Sequence, residues 1–295
     1  MSLVIEAAGF GVVTAGVVAL AAVGFTLQFA ITNIFNVAVG SQLTLAAFIA
    51  YALNRTGVSI WYAMIAAGLF TGVTSVLLNR MIFQPFLRRG TSFFGLVVVG
   101  IALLLIIQFA SQAIWGASFV SYQFNAGGVF KWGPLLLNRT SLILLGIAAG
   151  TMVAVHLLLT YTRFGKSMRA TAADPELASS CGIRIQLVTD ATWFLAGMLS
   201  GLGGVAFGMT LGAFSVSMGS TFLVIIVAAA ILGGVGQAYG AMLGALVVGI
   251  ATEETSLLVS SAYSQVAAFI ILILVLVVRP EGILPGVARY RGIAT

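Results

Sequence analysis

The chain has 295 residues, of which 61% are hydrophobic and only 7% are charged, with a net charge of +6 and a mean hydropathy of +1.16. Soluble domains carry about 25% charged residues, and this chain has too few to cover a soluble surface, so a soluble globular enzyme, a disordered chain and a coiled coil are excluded. A membrane β-barrel alternates apolar and polar residues over about 10-residue segments, whereas the apolar runs here are long and unbroken. We therefore expect an all-α, polytopic bundle of transmembrane helices that forms one domain over residues 1–295.

Charge-free intervals predict the membrane crossings, because a helix needs about 20 apolar residues to cross about 30 Å of hydrocarbon. The first interval, 7–54, has room for two helices, and the next, 56–79, has room for one. The interval 90–130 holds one helix followed by a polar, glycine-rich loop, and the intervals 140–162 and 255–278 hold one helix each.

The interval 191–252 allows two interpretations. One span is predicted at 191–211 and a loop at 212–220, after which the glycines at 233–240 separate two apolar stretches. The two stretches within 222–252 are either two tilted spans, which gives nine crossings in total, or two half-helices of a re-entrant segment, which gives seven.

Lysine and arginine predict the orientation, because cytoplasmic loops of membrane proteins carry an excess of both. Three groups fall on one side of the membrane: Arg80, Arg88 and Arg89; Arg163, Lys166, Arg169 and Arg184; and Arg279, Arg289 and Arg291. That side is predicted to be cytoplasmic, which places the N-terminus outside and the C-terminus in the cytoplasm. The same loop bias accounts for the positive net charge, so no nucleic-acid partner is expected.

The chain has one cysteine, Cys181, and one histidine, His156, so it can form neither an intrachain disulfide nor a Cys/His metal cluster. His156 lies in an apolar run and is interpreted as a packing or hydrogen-bonding residue. No clustered acids face a plausible base, so we expect no catalytic residues and no metal site. The first residues lack a basic segment and a cleavage site, and we predict no removable signal peptide.

The longest cytoplasmic loop, at about 162–190, carries seven charged residues. Asp174 is a suitable helix N-cap, with Pro175 at the first helical position and Glu176 in the first turn. Gly182 is the expected C-terminal signal of this short helix. A loop that only joined two spans would need a few residues, so a capped helix outside the membrane indicates docking to a cytoplasmic partner.

Five segments carry a resemblance to a known family: FNVAVGSQLTLAAF at 35–48, GKSMRATAADPELASSCGI at 165–183, AGMLSGLGGVAFG at 196–208, ILGGVGQAYGAMLGALVVG at 231–249 and LVLVVRPEGILPG at 274–286. The chain resembles the permease subunits of bacterial ABC importers for branched-chain amino acids and related amides. Within it, Glu176, Ala178 and Gly182 match the E-x-A-x-x-x-G spacing of the coupling helix in such permeases.

The resemblance implies the partners and the mechanism. A sister permease subunit, in a homo- or heterodimer, forms the translocation path in the bacterial inner membrane; two cytoplasmic ATPase subunits bind the coupling helices; and a periplasmic substrate-binding protein delivers the substrate. The chain lacks a GxxxxGK[ST] phosphate loop, so ATP is expected on the partner subunits and no cofactor in this chain, which is not an enzyme by itself. The residues expected to couple to the ATPase are Arg169, Asp174, Pro175, Glu176, Ala178 and Gly182.

Polar residues inside predicted spans are candidates for the substrate path, because polar groups in a membrane are costly. They can equally join helices by hydrogen bonds of about 1 kcal/mol. The candidates are Asn36, Gly40, Ser41, Gln42, Thr44, Gln108 and Thr192. Val39 and Ser41 stand where similar permeases commonly have histidine and glutamate. The substrate therefore stays open among aliphatic and other amino acids, short amides, urea and aromatic carboxylates, and a related sugar-permease branch is also possible.

Glu253 and Glu254 are the only adjacent acids in the chain. They are interpreted as the outer end of a helix, on the side that the binding protein approaches; the alternative is an ion-coupling site in a secondary transporter of a small solute.

Overall fold

The computed structural model describes residues 2–124, 127–132, 135–258, 260, 263–278 and 282–284. Twelve α-helices cover most of these residues. They are α1 Ser2–Thr32, α2 Val39–Arg55, α3 Ile60–Leu78, α4 Gln84–Arg88, α5 Phe93–Trp115, α6 Arg139–Tyr161, α7 Arg163–Ala173, α8 Pro175–Ser180, α9 Ile185–Leu211, α10 Met218–Gly233, α11 Ala238–Leu258 and α12 Ser264–Val278.

Five helical segments of the described chain are long and apolar enough to cross a membrane: Gly9–Thr32, Ile60–Arg88, Phe93–Trp115, Arg139–Tyr161 and Ile185–Leu211. The second combines α3 and α4 through a π-helical segment at Asn79–Phe83. Two shorter apolar helices are α10 and α12. The expected class, a helical multi-pass membrane protein, is confirmed.

The helices α1 and α9 lie in the interior, where their glycines allow close backbone contact. Gly24 of α1 faces the carbonyl oxygen of Ala196 on α9, which would lie 2.7 Å from an added Cβ. Gly197 of α9 faces the Thr71 carbonyl oxygen on α3 at the same distance. Small residues suit these positions because burial from lipid gives no hydrophobic gain, so helices associate through close packing. In contrast, α5 and α6 expose most of their apolar surface, as helices in contact with lipid do.

The predicted pair of helices in 7–54 is present, but the second helix is short and interior. The first helix ends at Thr32, and Asn33 then has a positive φ of 51°. After an irregular stretch at 33–38, α2 has 17 residues, about 25 Å, and 11 of them are buried. Irregular backbone at membrane depth is tolerated only where protein or a cavity surrounds it. The break at 33–38 meets that condition, because Ile34, Asn36 and Ala38 are buried.

The ambiguous segment 222–252 lies in a helical hairpin formed by α10 and α11. The two helices have 16 and 21 residues, about 24 Å and 31 Å, and a turn at 234–237 joins them. Gly233 and Gly240 face each other across the hairpin without room for a side chain. The glycines therefore form the turn and the first contact of two packed helices.

The polar loop at about 162–190 contains one more helix than expected. The predicted helix is α8, and α7 precedes it with Gly165, Met168 and Thr171 buried along one side. The next span begins at Ile185 instead of the predicted 191. The helix extends across the charged Asp190 because that carboxylate pairs with Arg80.

A short antiparallel hairpin, β1 Val129–Trp132 and β2 Leu135–Asn138, adds two strands to the otherwise helical fold. Near the other end of the sequence, Ile283 and Leu284 donate backbone hydrogen bonds to the carbonyl oxygens of Leu232 and Gly233. Arg279, Arg289 and Arg291, and residues 279–281 and 285–286 of the RPEGILPG sequence, lie outside the described residues.

Candidate functional site: a surface helix and a buried polar cluster

The short helix α8 has the capping that its sequence predicts. The Asp174 carboxylate accepts hydrogen bonds from the backbone N–H groups of Glu176 and Leu177, both at 3.0 Å. Pro175 occupies the first helical position, and Gly182 follows the helix with a φ of +83°. The cap satisfies N–H groups that have no partner within a helix, so this helix of six residues has a defined start and end.

The outward face of α8 carries an apolar side chain that the sequence analysis missed. The Leu177 side chain is 63% exposed, and Glu176 beside it is exposed as well. Ala178, one of the expected coupling residues, is buried and holds the helix against the protein. Arg169 is exposed on the preceding helix, α7. The one large apolar residue in this otherwise small and polar helix is the sequence signal that could have drawn attention to this face.

The base of α8 is packed, which fixes its position. Gly165 of α7 sits directly on the backbone of Leu158 and Leu159 at the end of α6, where a Cβ would not fit. Met168 and Thr171, one and two turns further along α7, are buried. The surface helix therefore rests on α7 and continues within four residues into the interior helix α9.

An ion pair joins the start of α9 to the π-helical segment that follows α3. The Arg80 guanidinium donates to the Asp190 carboxylate from Nε at 3.0 Å and from Nη2 at 2.7 Å. Gln186 donates from Nε2 to the same carboxylate at 3.2 Å. Arg80 and Asp190 are 110 positions apart in sequence, and their contact was not predicted.

The predicted polar cluster from Asn36 to Thr44 is buried at the junction of α1, α2 and α10. The Asn36 side chain donates to Gln28 Oε1 at 3.4 Å and accepts from the Ala38 N–H at 3.1 Å. Thr44 accepts from the Gly219 N–H at 2.9 Å, and the Ser41 hydroxyl donates to the Ala38 carbonyl oxygen at 2.9 Å. Several members therefore bond to backbone and position the helix break.

Other polar atoms in this region are buried without such partners. Both side-chain polar atoms of Gln42, the Gln28 amide nitrogen and the Thr26 hydroxyl have no hydrogen-bond partner among the described residues. Buried polar groups of this kind are costly in a packed core and are frequent where function requires them.

The remaining path candidates are less closely tied to this cluster. Gly40 packs on Gly219, whose carbonyl oxygen would lie 2.7 Å from a Cβ added at Gly40. Thr192 is buried on α9, and its hydroxyl donates to the Val188 carbonyl oxygen at 2.7 Å. Gln108 lies on α5 and is half-buried.

Two contacts concern residues whose role the sequence left open. Glu253 accepts a hydrogen bond from the Thr14 hydroxyl at 2.6 Å, which joins α11 to α1. His156 Nδ1 lies 2.9 Å from the Tyr239 hydroxyl, as expected for a hydrogen-bonding histidine.

A buried tyrosine anchors the segment that follows α5. Tyr122 donates from its hydroxyl to the Ala47 carbonyl oxygen at 3.1 Å and packs on Phe214. Burial raises the pKa of Tyr122 well above its ordinary value, so the hydroxyl keeps its proton and remains a donor at physiological pH.

Comparisons with known proteins agree with this arrangement. The sequence model of the family described as branched-chain amino acid transport system / permease component matches residues 8–276. LivH of Escherichia coli strain K12, a high-affinity branched-chain amino acid transport system permease protein, is 27% identical over 289 residues, covering 93% of each chain. The ribose import permease protein RbsC of the same strain is 27% identical over 275 residues, covering 88% of this chain and 81% of RbsC.

A solved structure has the same fold. One chain of PsaBC from Streptococcus pneumoniae, determined in complex with a Fab, matches with a TM-score of 0.53 at 11% identity, over 92% of this chain and 91% of that chain. The fold and the family match together cover nearly the whole described chain. The chain belongs to the family of permease components of branched-chain amino acid transport systems.

Proposed function

We propose that this chain is the membrane permease subunit of an ABC importer that moves branched-chain or related hydrophobic amino acids into the cytoplasm. The family match and the name of the E. coli relative support the substrate class. The match to the ribose permease covers a smaller share of both chains than the match to LivH does, so it supports a sugar substrate less well. The observation that carries the proposal is the capped helix α8, with Leu177 exposed on a packed base.

The proposed partners supply the ATP hydrolysis and the substrate delivery that an importer needs beside its permease. ATP hydrolysis takes place on two cytoplasmic ATPase subunits, which bind α8 of this chain and of a sister permease. A short, capped helix passes on rigid-body motion, which a flexible loop would dissipate. A periplasmic binding protein delivers the substrate to the opposite face of the bacterial inner membrane.

In this proposal the chain crosses the membrane nine times, with α10 and α11 as two crossings. Support comes from the antiparallel contact of α1 and α11, in which Thr14 meets Glu253 near one end and Ala30 lies beside Gly236 near the other. Glu253 and Glu254 then lie toward the outer end of α11, and a coupled ion is not required. The Asn36–Thr44 cluster lines the path beside the break in α2.

The test is uptake by the complete importer reconstituted in vesicles with its ATPase subunits inside. We expect leucine uptake that requires the binding protein and internal ATP and persists when a proton ionophore is present. Uptake that follows an imposed proton gradient without ATP would instead identify an ion-coupled carrier.

The role of α8 is tested in the same vesicles with Leu177→Ala. The variant loses the only large apolar side chain on the exposed face of α8, so we expect about tenfold lower ATP-driven uptake, as for one important interface contact. Ser179→Ala changes another exposed residue of the same helix and should transport like wild type. Equal uptake by all three proteins would contradict docking at Leu177.

A further inference from the structure

A polar cavity of about 290 Å³ opens beside the base of α9, at the end of the bundle that we propose is cytoplasmic. It lies between the end of α1, the junction of α3 and α4, and the first turns of α9. Its polar walls include Asn79, Gln84, Arg88 and Gln186, and its apolar walls include Ile31 and Leu87. The volume is near the lower limit of small-molecule pockets, about 300 Å³.

Asn79 is the most unusual residue in this wall. It is fully buried, and neither its amide nitrogen nor its amide oxygen has a hydrogen-bond partner among the described residues. It also begins the π-helical segment Asn79–Phe83. Such segments widen a helix by one residue and occur frequently at functional sites. A buried amide without a partner is costly to maintain, and it makes this wall of the cavity unusual.

The charges around the cavity favour an anion. Asp190, the nearby acid, is neutralised by Arg80 and also accepts from Gln186. Arg88 forms no salt bridge within the part of the chain that the structure describes. One free cation and several amides thus stand beside two aliphatic side chains. Arginine and amide N–H groups suit a carboxylate or phosphate oxygen, and the aliphatic walls suit a short apolar group.

We propose that this cavity binds the carboxylate of the transported amino acid on its cytoplasmic side, with its aliphatic side chain against Ile31 and Leu87. This inference rests on the proposed function, because it identifies a ligand of the same importer. The oxyanion of an anionic lipid headgroup offers the same chemistry at a membrane surface, and the experiment separates the two sources.

The test uses a photoreactive diazirine analogue of leucine inside vesicles that contain the complete importer. One set of vesicles is phosphatidylcholine alone, and the other includes phosphatidylglycerol. After illumination, mass spectrometry maps the labelled residues. We expect labelling at Ile31 and within 84–88 in both sets, and excess leucine should suppress it.

Variants assign the binding to the cavity. Arg88→Gln should lower this labelling about tenfold, the effect of losing one charge-assisted hydrogen bond of about 1.4 kcal/mol. Arg89→Gln removes the neighbouring exposed charge outside the cavity wall and should label like wild type. Arg88 is on the surface, so its variant tests the site without risk to folding.

The outcomes separate this inference from the function on which it rests. Labelling that phosphatidylglycerol suppresses and leucine does not would overturn the amino-acid ligand in favour of a lipid headgroup. Labelling at other residues, or unchanged labelling in Arg88→Gln, would overturn the proposed binding site. Leucine uptake in the same vesicles would still support the importer function. Absence of both uptake and labelling would overturn both.

Discussion

Gly219 is a single residue on which the contact between α10 and α2 depends. A Cβ at this position would collide with the Gly40 carbonyl oxygen and with the Thr44 hydroxyl. The Gly219 N–H meanwhile donates to Thr44 at 2.9 Å. The absence of a side chain therefore lets two helices approach through their backbones and lets Thr44 satisfy a buried N–H group at the start of α10.

Replacing Gly219 with alanine should destabilise the protein. The added methyl group must push α10 away from α2, and overpacking of this kind costs about 1–3 kcal/mol. The measurement is the thermal unfolding temperature of the purified protein in detergent, together with leucine uptake after reconstitution. We expect both to fall.

The matched control is Gly146→Ala in α6, where no atom lies within 4 Å of the added Cβ and φ is not positive. This variant should unfold at the wild-type temperature or slightly above it, because alanine favours a helix more than glycine does. A similar loss of stability in both variants would mean that the Gly40–Gly219 contact has no special role.

At the scale of the elements, α8 shows how local sequence can specify the start and the end of a short helix. Asp174, Pro175 and Gly182 are residue types with strong positional preferences at helix ends, and the structure places each where those preferences predict. A helix of six residues has little stability of its own, so the cap and the packed helix α7 hold it in position.

Removing the cap should weaken coupling without removing the protein from the membrane. Asp174→Ala loses both hydrogen bonds to the first turn, and the loss of an N-cap costs about 1 kcal/mol. We expect faster hydrogen exchange at 176–180 and lower ATP-driven uptake, with normal amounts of the protein in the membrane.

Asp174→Asn retains a capping side chain and should behave close to wild type in both measurements. If the asparagine and alanine variants lose uptake equally, the charge of Asp174 matters more than its capping, and our account of this residue would be wrong.

Features that depend on distant residues were beyond sequence analysis. Composition and charge-free intervals identified a helical membrane protein, and residues 174–182 identified α8. The early start of α9 could not be predicted, since it depends on Asp190 meeting Arg80 from 110 positions away. Interval lengths also could not reveal that α2 is short and buried, because burial inside the protein and burial in lipid both select apolar residues. The π-helical segment at Asn79 has no sequence signal of its own.

The candidate site shows the same division. Polar residues in predicted spans drew attention to the cluster at 36–44, because such residues are rare in a membrane. The structure shows that this cluster is buried, and its role in the substrate path stays a prediction. Helix packing decides which of these polar side chains hydrogen-bond to the backbone and which have no partner, so the sequence could not show it. The exposure of Leu177 likewise depends on how α8 lies on α7.

At the scale of the whole molecule, α9 connects the surface helix to the buried cluster. It begins three residues after Gly182, passes the ion pair at Asp190, and packs at Gly204 directly on the backbone of Leu43 in α2. A displacement of α8 by an ATPase subunit would therefore reach α2 and its polar residues through one continuous helix. We expect the bundle to transmit this motion because α9 is packed tightly along most of its length.

The most direct test of this account uses Cys181, the only cysteine of the chain, which is exposed next to α8. A membrane-impermeant maleimide reports which side of the membrane this residue faces and whether a partner covers it. We predict labelling in inside-out vesicles only, and strong protection when the ATPase subunits are bound. Labelling from the outside, or labelling in inside-out vesicles that bound ATPase subunits leave unchanged, would contradict the claim that α8 is the cytoplasmic contact of the ATPase.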